Sequence, residues 1–263
     1  MEQTEIYLSK LASQDELYME TAEKLGVEKI DDGNQLRGIL NSISTDTKYL
    51  IYESNEDITN APLKEIIGIF SEAEKNNSHI TMEVIEDEFL NLIDSEARLT
   101  SKSKPRSLVH RDGELHPAVH IWIIKRKDMG IYVLLQKRSP EKRIAPDCFD
   151  VSAAGHVAQG EEFRSTAVRE TEEELGLKIH GSRLELIGLL RNEYSDEDVN
   201  DNELRAVYLC REEVDINKFV LQSSEVSDVC WAEIDELLAV MDDGEFKHCI
   251  SLEELALIKK AVF

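Results

Sequence analysis

The chain has 263 residues and a mass of 30.0 kDa, enough for a sizeable core in one large domain or two smaller ones. Its 41% hydrophobic content excludes a disordered chain. Thirty Lys+Arg against 54 Asp+Glu leave a formal charge of −24, which opposes nucleic acid and anionic membrane as partners.

An anionic small-molecule substrate would therefore need a local cationic device, such as a bound metal. The opening MEQTEIYLSK has neither the basic start nor the apolar stretch of a secretory signal. No apolar run approaches the ~18 residues of a membrane span. Cys148, Cys210, Cys230 and Cys249 are scattered without C-x-x-C pairing, so the expected compartment is the cytoplasm with reduced thiols.

Along the chain, residues 1–82 read as a mostly helical accessory domain. EIYLSKLASQDELYMETAEKLGV has apolar residues at three- and four-residue spacing up to Gly26, and APLKEIIGIFSEAEKNN is a second helix with Pro62 in its first turn. KYLIYE between them reads as a short strand. The polar EKNNSHIT at 74–81 marks the domain boundary, with the basic TSKSKPRS at 100–107 as the competing position. Residues 83–263 then carry short strands: AVHIWIIK and IYVLLQKR flank a hairpin signal at Lys127-Asp128-Met129-Gly130, followed by LELIGLL, LRAVYLC and SDVCWAEI. IDELLAVM and SLEELALIKKAV are helical, and Ser251 with Glu254 has the spacing of a capping box. The interleaving predicts an α/β or α+β fold around a mixed sheet.

The stretch GHVAQGEEFRSTAVRETEEELGL, 155–177, concentrates acids on a helix. Over 162–175, Glu170, Glu173 and Glu174 stand at i, i+3 and i+4, within roughly 100° of one face. Like charges so placed repel and raise one another's pKa values unless a cation neutralises them. A surface helix would put Lys or Arg four residues after its Glu residues, whereas here Glu170 faces Glu174. The natural neutraliser is a hard divalent cation, Mg²⁺ or Mn²⁺, which prefers carboxylate oxygens and keeps water sites for a phosphate.

Gly155, five residues, Glu161, seven residues, then Arg169-Glu170, Thr171, Glu172, Glu173-Glu174, Leu175, Gly176 and Leu177 match the Nudix box at every fixed position, and the chain resembles the Nudix superfamily. Thr171 departs from the bulkier aliphatic usual at its position. Gly155 and Gly160 suit a tight loop into the helix, and Gly176 can end it in the left-handed conformation. The resemblance implies a Nudix-type α/β/α sandwich and diphosphate hydrolysis, with metals held by Glu170, Glu173 and Glu174 and with Arg169 and Glu161 positioning the carboxylates. In related enzymes a further acid from a distant loop serves as base or ligand. Glu225 in SSEVSDVCW is the candidate, with Glu203 in DNELRAVYL as competitor and possible metal ligand. Arg138, closing IYVLLQKR, is a candidate phosphate contact. Phe163 and Val168 are expected in the core under the helix, and Cys148 reads as an inert, partly buried thiol.

Residues 86 to about 240 further resemble the isopentenyl-diphosphate-isomerase-like branch, through EFLNLIDSEARLTSKSKPRSLVHRDGELHPAVHIWII, LLQKRSPEKR, VSAAGHV and EVSDVCW. In those isomerases histidines and two acids hold a metal, and this chain has His110, His116, His156, Asp201 and Glu203 at the matching places. His120 shares the strand face of His116. The isomerases use a cysteine before the Gly-His pair to move a proton, and this chain has Ala154 there. That departure and the intact box favour hydrolysis, leaving His116 and His156 as candidate substrate contacts. The resulting expectation is an Mg²⁺- or Mn²⁺-dependent Nudix hydrolase acting on a small organic diphosphate, with a nucleoside diphosphate derivative as the candidate substrate. An isomerase relative and a non-catalytic nucleotide sensor are the alternatives, and residues 1–82 are open to a homodimer or protein partner.

Overall fold

The computed structural model describes residues 2–7, 14–54, 61–128, 130–196, 199–211, 214, 218–241 and 243–262. By packing, the chain divides into two compact units, Met1–Leu92 with Thr100–Gly113, and Ile93–Leu99 with Glu114–Phe263.

The first unit contains β1 (Glu2–Tyr7), α1 (Gln14–Lys24), α2 (Gly33–Asn41), β2 (Thr47–Ser54), α3 (Ala61–Asn76) and β3 (Ile80–Asp87). Strands β1, β2 and β3 lie side by side, all parallel. Asp32 caps α2 by accepting the Gln35 N–H at 2.9 Å, and Leu36 and Leu40, four apart, are buried. Along α3 the buried positions are Leu63, Ile66, Ile69, Phe70 and Ala73, which meet Ile6, Ile51 and Ile80 of the sheet. The hairpin β4 (Phe89–Ile93) and β5 (Leu99–Pro105) leads into α4 (Arg106–Asp112).

Helices supply more of this unit than strands do, but a three-stranded parallel sheet runs beside them. Its opening residues, expected to begin a helix, form a strand, because parallel pairing with β2 satisfies their backbone groups. Nor is EKNNSHIT a linker: Asn77 is buried and its Nδ2 donates to the carbonyls of Leu40 and Ile43 at 3.1 and 2.9 Å. The other boundary candidate is equally tied down, with Lys104 paired to Asp112 at 2.6 Å and Arg106 to Glu88 at 3.1 Å. The packing division therefore falls later in the chain than residue 82.

The second unit holds β6 (His116–Lys127), β7 (Gly130–Arg138), β8 (Phe149–Asp150), β9 (Ala153–His156), α5 (Phe163–Leu175), β10 (Leu184–Ser195), β11 (Asn200–Cys210), β12 (Val226–Glu233), α6 (Ile234–Val240) and α7 (Leu252–Val262). The sheet runs β10-β11-β6-β7-β12, with β8 on β7 and β9 on β6, and only β11–β6 is parallel. Alternation along β6 sends Val119, Ile121 and Ile123 toward Ala167 and Leu175 of α5. Trp122 and Ile124 face the other way, joining Ile234 and Leu237 of α6 and Leu255, Ile258 and Val262 of α7. The result is an α/β/α sandwich around a mixed sheet. In the β6–β7 hairpin Lys127 pairs with Gly130, and Met129 of the expected turn lies outside the described residues. Among the described residues no helix is long and apolar enough to cross a membrane.

One expected feature is replaced. Ser251 Oγ accepts the Glu253 N–H at 3.2 Å, but Glu254 does not complete a capping box. Its carboxylate is fully buried and accepts from Trp122 Nε1 at 2.8 Å, anchoring α7 to the sheet.

Candidate active site

The loop from β9 ends at α5, whose first turn is fixed by Ser165 Oγ accepting the Glu162 N–H at 3.1 Å. At its other end Gly176 adopts φ 65° and donates to the Glu172 carbonyl at 2.8 Å, the left-handed stop expected there. Gly160 also has a positive φ, 82°, as the tight loop requires. Thr171, the departure from the usual aliphatic, is wholly buried and satisfies its hydroxyl on the Ala167 carbonyl at 2.7 Å.

Gly155 serves a different purpose from a turn. It lies in β9, and a Cβ built on it would stand 2.0 Å from Glu170 Oε1. Only a hydrogen there leaves space for that carboxylate. Arg169 grips both oxygens of Glu161 at 2.8 Å and reaches Glu170 and Glu173, also at 2.8 Å each. Thr166 Oγ1 donates to Glu161 as well, at 2.8 Å. Burial alone would raise the Glu161 pKa, but these donors, Arg169 first, hold it below the usual value.

Glu174 is only 5% exposed. It receives the Ala154 N–H at 3.1 Å and Gln136 Nε2 at 3.3 Å. Burial, followed by the neighbouring Glu170 charge, pushes its pKa up to about 8. Glu170 is largely covered, while Glu173 is half exposed. One arginine thus serves three acids, and the fourth is buried beside them. The donor set and the space kept by Gly155 suit a hard divalent cation with carboxylate ligands.

Glu225 precedes β12 in a turn bonded to the end of α5, where the Gln222 N–H donates to the Glu174 carbonyl at 3.1 Å. Its carboxylate is paired with the Lys142 ammonium. Arg138 is placed otherwise than a phosphate contact. Its guanidinium pairs with buried Asp150 at 2.9 Å and donates to the Ile144 and Ala145 carbonyls, so it holds the 139–150 loop. Phe163 and Val168 pack in the core against α5's face of the sheet, and Cys148 is partly buried, as expected.

Glu203 does not join the box acids. Its β11 position alternates with Val207 and Leu209, which face α6 and α7, whereas Glu170 lies against Gly155 on the α5 side. There Glu203 meets His156 at 3.3 Å and Arg205 at 2.6 Å. Burial would raise its pKa, but the His156 hydrogen bond, then the Arg205 charge, hold it well below the carboxylate range. His116 lies 3.4 Å from Asp201, and its ring centroid is 5.1 Å from that of His156. Ligand atoms of His116, His156 and Asp201 fall within 4.8 Å of one another, a second group able to hold a metal. Burial pulls the His116 pKa down, yet the Asp201 bond and the Glu114 carbonyl outweigh it and leave it raised. His120 shares this face and contacts Glu254, with Nδ1 2.9 Å from Oε1 and 3.1 Å from Oε2. His110 lies on α4, in the first unit.

Reading the sequence missed Lys142, Asp150, Gln136 and Glu254. Gln136 did leave a signal, as a polar residue at an inward position of β7 that is 2% exposed. Lys142 left none, since RSPEKR reads as an ordinary charged turn.

Comparison with known proteins places the chain in a family. The family model of the NUDIX domain matches residues 114–251. An uncharacterised Nudix hydrolase of Clostridium acetobutylicum is 38% identical over 165 residues, covering 62% of this chain and 79% of that protein. Nudix hydrolase 3 of Arabidopsis thaliana is 36% identical over 154 residues, 57% of this chain but only 20% of that longer protein. The crystal structure of DR0079 from Deinococcus radiodurans is similar at 20% identity and a TM-score of 0.48, covering 67% of this chain and all of that one. With the box intact and the family match running over 114–251, more than half of its length, the chain belongs to the Nudix hydrolases.

Proposed function

We propose that the chain hydrolyses the diphosphate linkage of a small organic diphosphate, of the nucleoside diphosphate type, with Mg²⁺ or Mn²⁺ as cofactor. The observation that carries this is that Arg169 bonds both Glu170 and Glu173 while Glu174 lies buried beside Glu170. A divalent cation held there supplies positive charge against the diphosphate and activates a water. Within this reading Glu170, Glu173 and Glu174 hold it, and Arg169, clamped by Glu161, keeps Glu170 and Glu173 aimed at one point. Glu225 is assigned as the acid that takes the proton of the attacking water. Residues 1–82 are assigned an accessory role, with a homodimer or protein partner, and the cytoplasm is the assigned compartment.

A second reading, an isomerase relative, draws support from the His116, His156, Asp201 and Glu203 cluster. Isomerisation of a prenyl diphosphate needs one group to add a proton and another to remove one on the opposite face. Ala154 supplies neither, and His116 and His156 lie with Glu203 on the sheet face opposite Glu170, so the substrate contact expected of them is not placed at the box. The test is a panel of nucleoside diphosphate sugars, dinucleoside polyphosphates and isopentenyl diphosphate, analysed by phosphorus and proton NMR with Mg²⁺ and with excess chelator. We expect cleavage of at least one nucleoside compound, complete loss under chelation, and no allylic isomer. Turnover undiminished in metal-free protein, or dimethylallyl diphosphate without cleavage, would overturn the reading.

The raised pKa of Glu174 adds a pH dependence. Below about 8 the metal-free carboxyl keeps its proton, which binding must expel. Mn²⁺ affinity should therefore climb from pH 6 to pH 8, by up to ~10-fold per unit, and level off above. Titrations followed by electron paramagnetic resonance check this, and a flat profile would remove Glu174 from the ligand set.

A further inference from the structure

We propose that Lys142 is a positioning residue of the hydrolytic site, holding the Glu225 carboxylate beside the box acids by standing as a cation between them; this rests on the assignment of Glu225 made above. Lys142 was not conspicuous in the sequence, yet three observations converge on it. Its ammonium pairs with Glu225. Its charge is also felt at Glu174, where it opposes the upward shift caused by burial and Glu170. Finally, the backbone places it: the Lys142 N–H donates to the Ser139 carbonyl at 3.2 Å, and the Ser139 N–H donates to the Glu225 carbonyl at 2.8 Å.

These bonds close a circuit. The Gln222 N–H donates to the Glu174 carbonyl at 3.1 Å, and the Glu225 N–H to the Gln222 carbonyl at 2.8 Å. The 222–225 turn is thereby fixed to α5 by its backbone, and its carboxylate pairs with the same ammonium whose charge is felt at Glu174. Like charges there repel, and a carboxylate on a two-carbon stem can swing out to solvent. Glu225 is 32% exposed and Lys142 25%, so the swing is open and the ammonium is what opposes it. The pair also explains why the 139–150 loop is braced at its far side by Arg138 on Asp150. A loop that moved would carry Lys142 away.

The decisive measurement is a double-mutant cycle in the full chain, using the panel compound hydrolysed fastest. Lys142→Met should lower kcat about 10-fold with KM changed less than 2-fold, and Lys142→Arg should restore kcat to within about 3-fold of wild type. In the Glu225→Gln background, adding Lys142→Met should cost little further turnover, because the carboxylate whose position Lys142 fixes is already gone. Equal losses in both backgrounds, or a rise in KM with kcat unchanged, would overturn the proposal and mean that Lys142 touches substrate directly. A Glu225→Gln variant of full activity would overturn it as well. Mn²⁺ titration of the metal-free protein gives a readout independent of turnover: removing a positive charge beside the carboxylates should tighten Mn²⁺ binding at least ~3-fold in Lys142→Met. Binding unchanged or weakened would count against the proposal. Damage to the fold would weaken metal binding and lower kcat together, whereas the expected pattern has them move in opposite senses. If wild type cleaves no panel compound, the hydrolase reading fails while the Mn²⁺ titration still decides Lys142.

Discussion

Glu174→Gln should lower kcat at least ~100-fold and, in the absence of metal, make the protein more stable at neutral pH. The two effects have one origin. Glu174 lies buried beside Glu170, and its carboxyl titrates near 8 when folded against the 4.5 of an unperturbed side chain. Between these values the unfolded chain gives up a proton that the folded chain keeps. Metal-free stability contributed by this group is therefore full below about pH 4.5 and is lost as pH rises toward about 8. Glutamine fills the same volume without titrating, and can still accept the Ala154 N–H. Thermal melts of both proteins in chelator at pH 5 and pH 8 read the stability term, and steady-state kinetics read the other. A folded mutant with near-normal turnover would show that α5 is not the catalytic platform. Glu173→Gln should match the kinetic loss without the stability gain, because Glu173 is half exposed rather than buried.

The contrast between these two acids was only partly visible in the sequence. Spacing alone put Glu170, Glu173 and Glu174 on one helical face, and the structure keeps them there. What spacing could not tell was that Glu174 turns inward to Ala154 and Gln136 while Glu173 stays half in solvent. That difference depends on strands β7 and β9, which meet the helix from distant parts of the chain. The same limit explains Arg138. Its position at the end of a strand suggested a phosphate contact, but Asp150, a dozen residues on, and two loop carbonyls take its donors.

Strands in the sandwich were legible because β6 and β11, buried on both faces over much of their length, read as short, nearly continuous apolar runs between turns. The parallel sheet of the first unit was not. A strand as short as β1 carries too few apolar residues to separate a period of two from one of 3.6, and its partner β2 begins 45 positions later in register, Glu2 against Thr47. Glu254 shows the converse error. Its spacing from Ser251 fits a capping box, but Trp122 and His120 reach it from β6, and a buried donor outcompetes a local cap. That Glu203 stands apart from the box acids turns on one fact, the parity of β11, which puts it on the opposite face of the sheet from Glu170.

Gly155→Ala should weaken Mn²⁺ binding at least ~10-fold and lower kcat/KM on the order of 100-fold, the scale expected when a reacting constellation is displaced by about 1 Å. The residue sits in a strand with ordinary backbone angles, so conformational strain is not the cause. The cause is volume. The added methyl would lie 2.0 Å from Glu170 Oε1 and 2.2 Å from its carboxyl carbon, well inside contact distance. Because Gly155 is held in register opposite Val119 of β6, the strand cannot retreat cheaply, and the side chain of Glu170 has to move instead. Moving it breaks the 2.8 Å bond to Arg169, which would then be left to Glu161 and Glu173. Loss of one ligand and rotation of its clamp act on the same site, so metal affinity and turnover should fall together. Isothermal titration with Mn²⁺, kinetics across a metal series, and a melting curve separate this from unfolding. Partial recovery of turnover at high Mn²⁺ would locate the damage at the metal, and undiminished affinity would mean that Glu170 does not bind it.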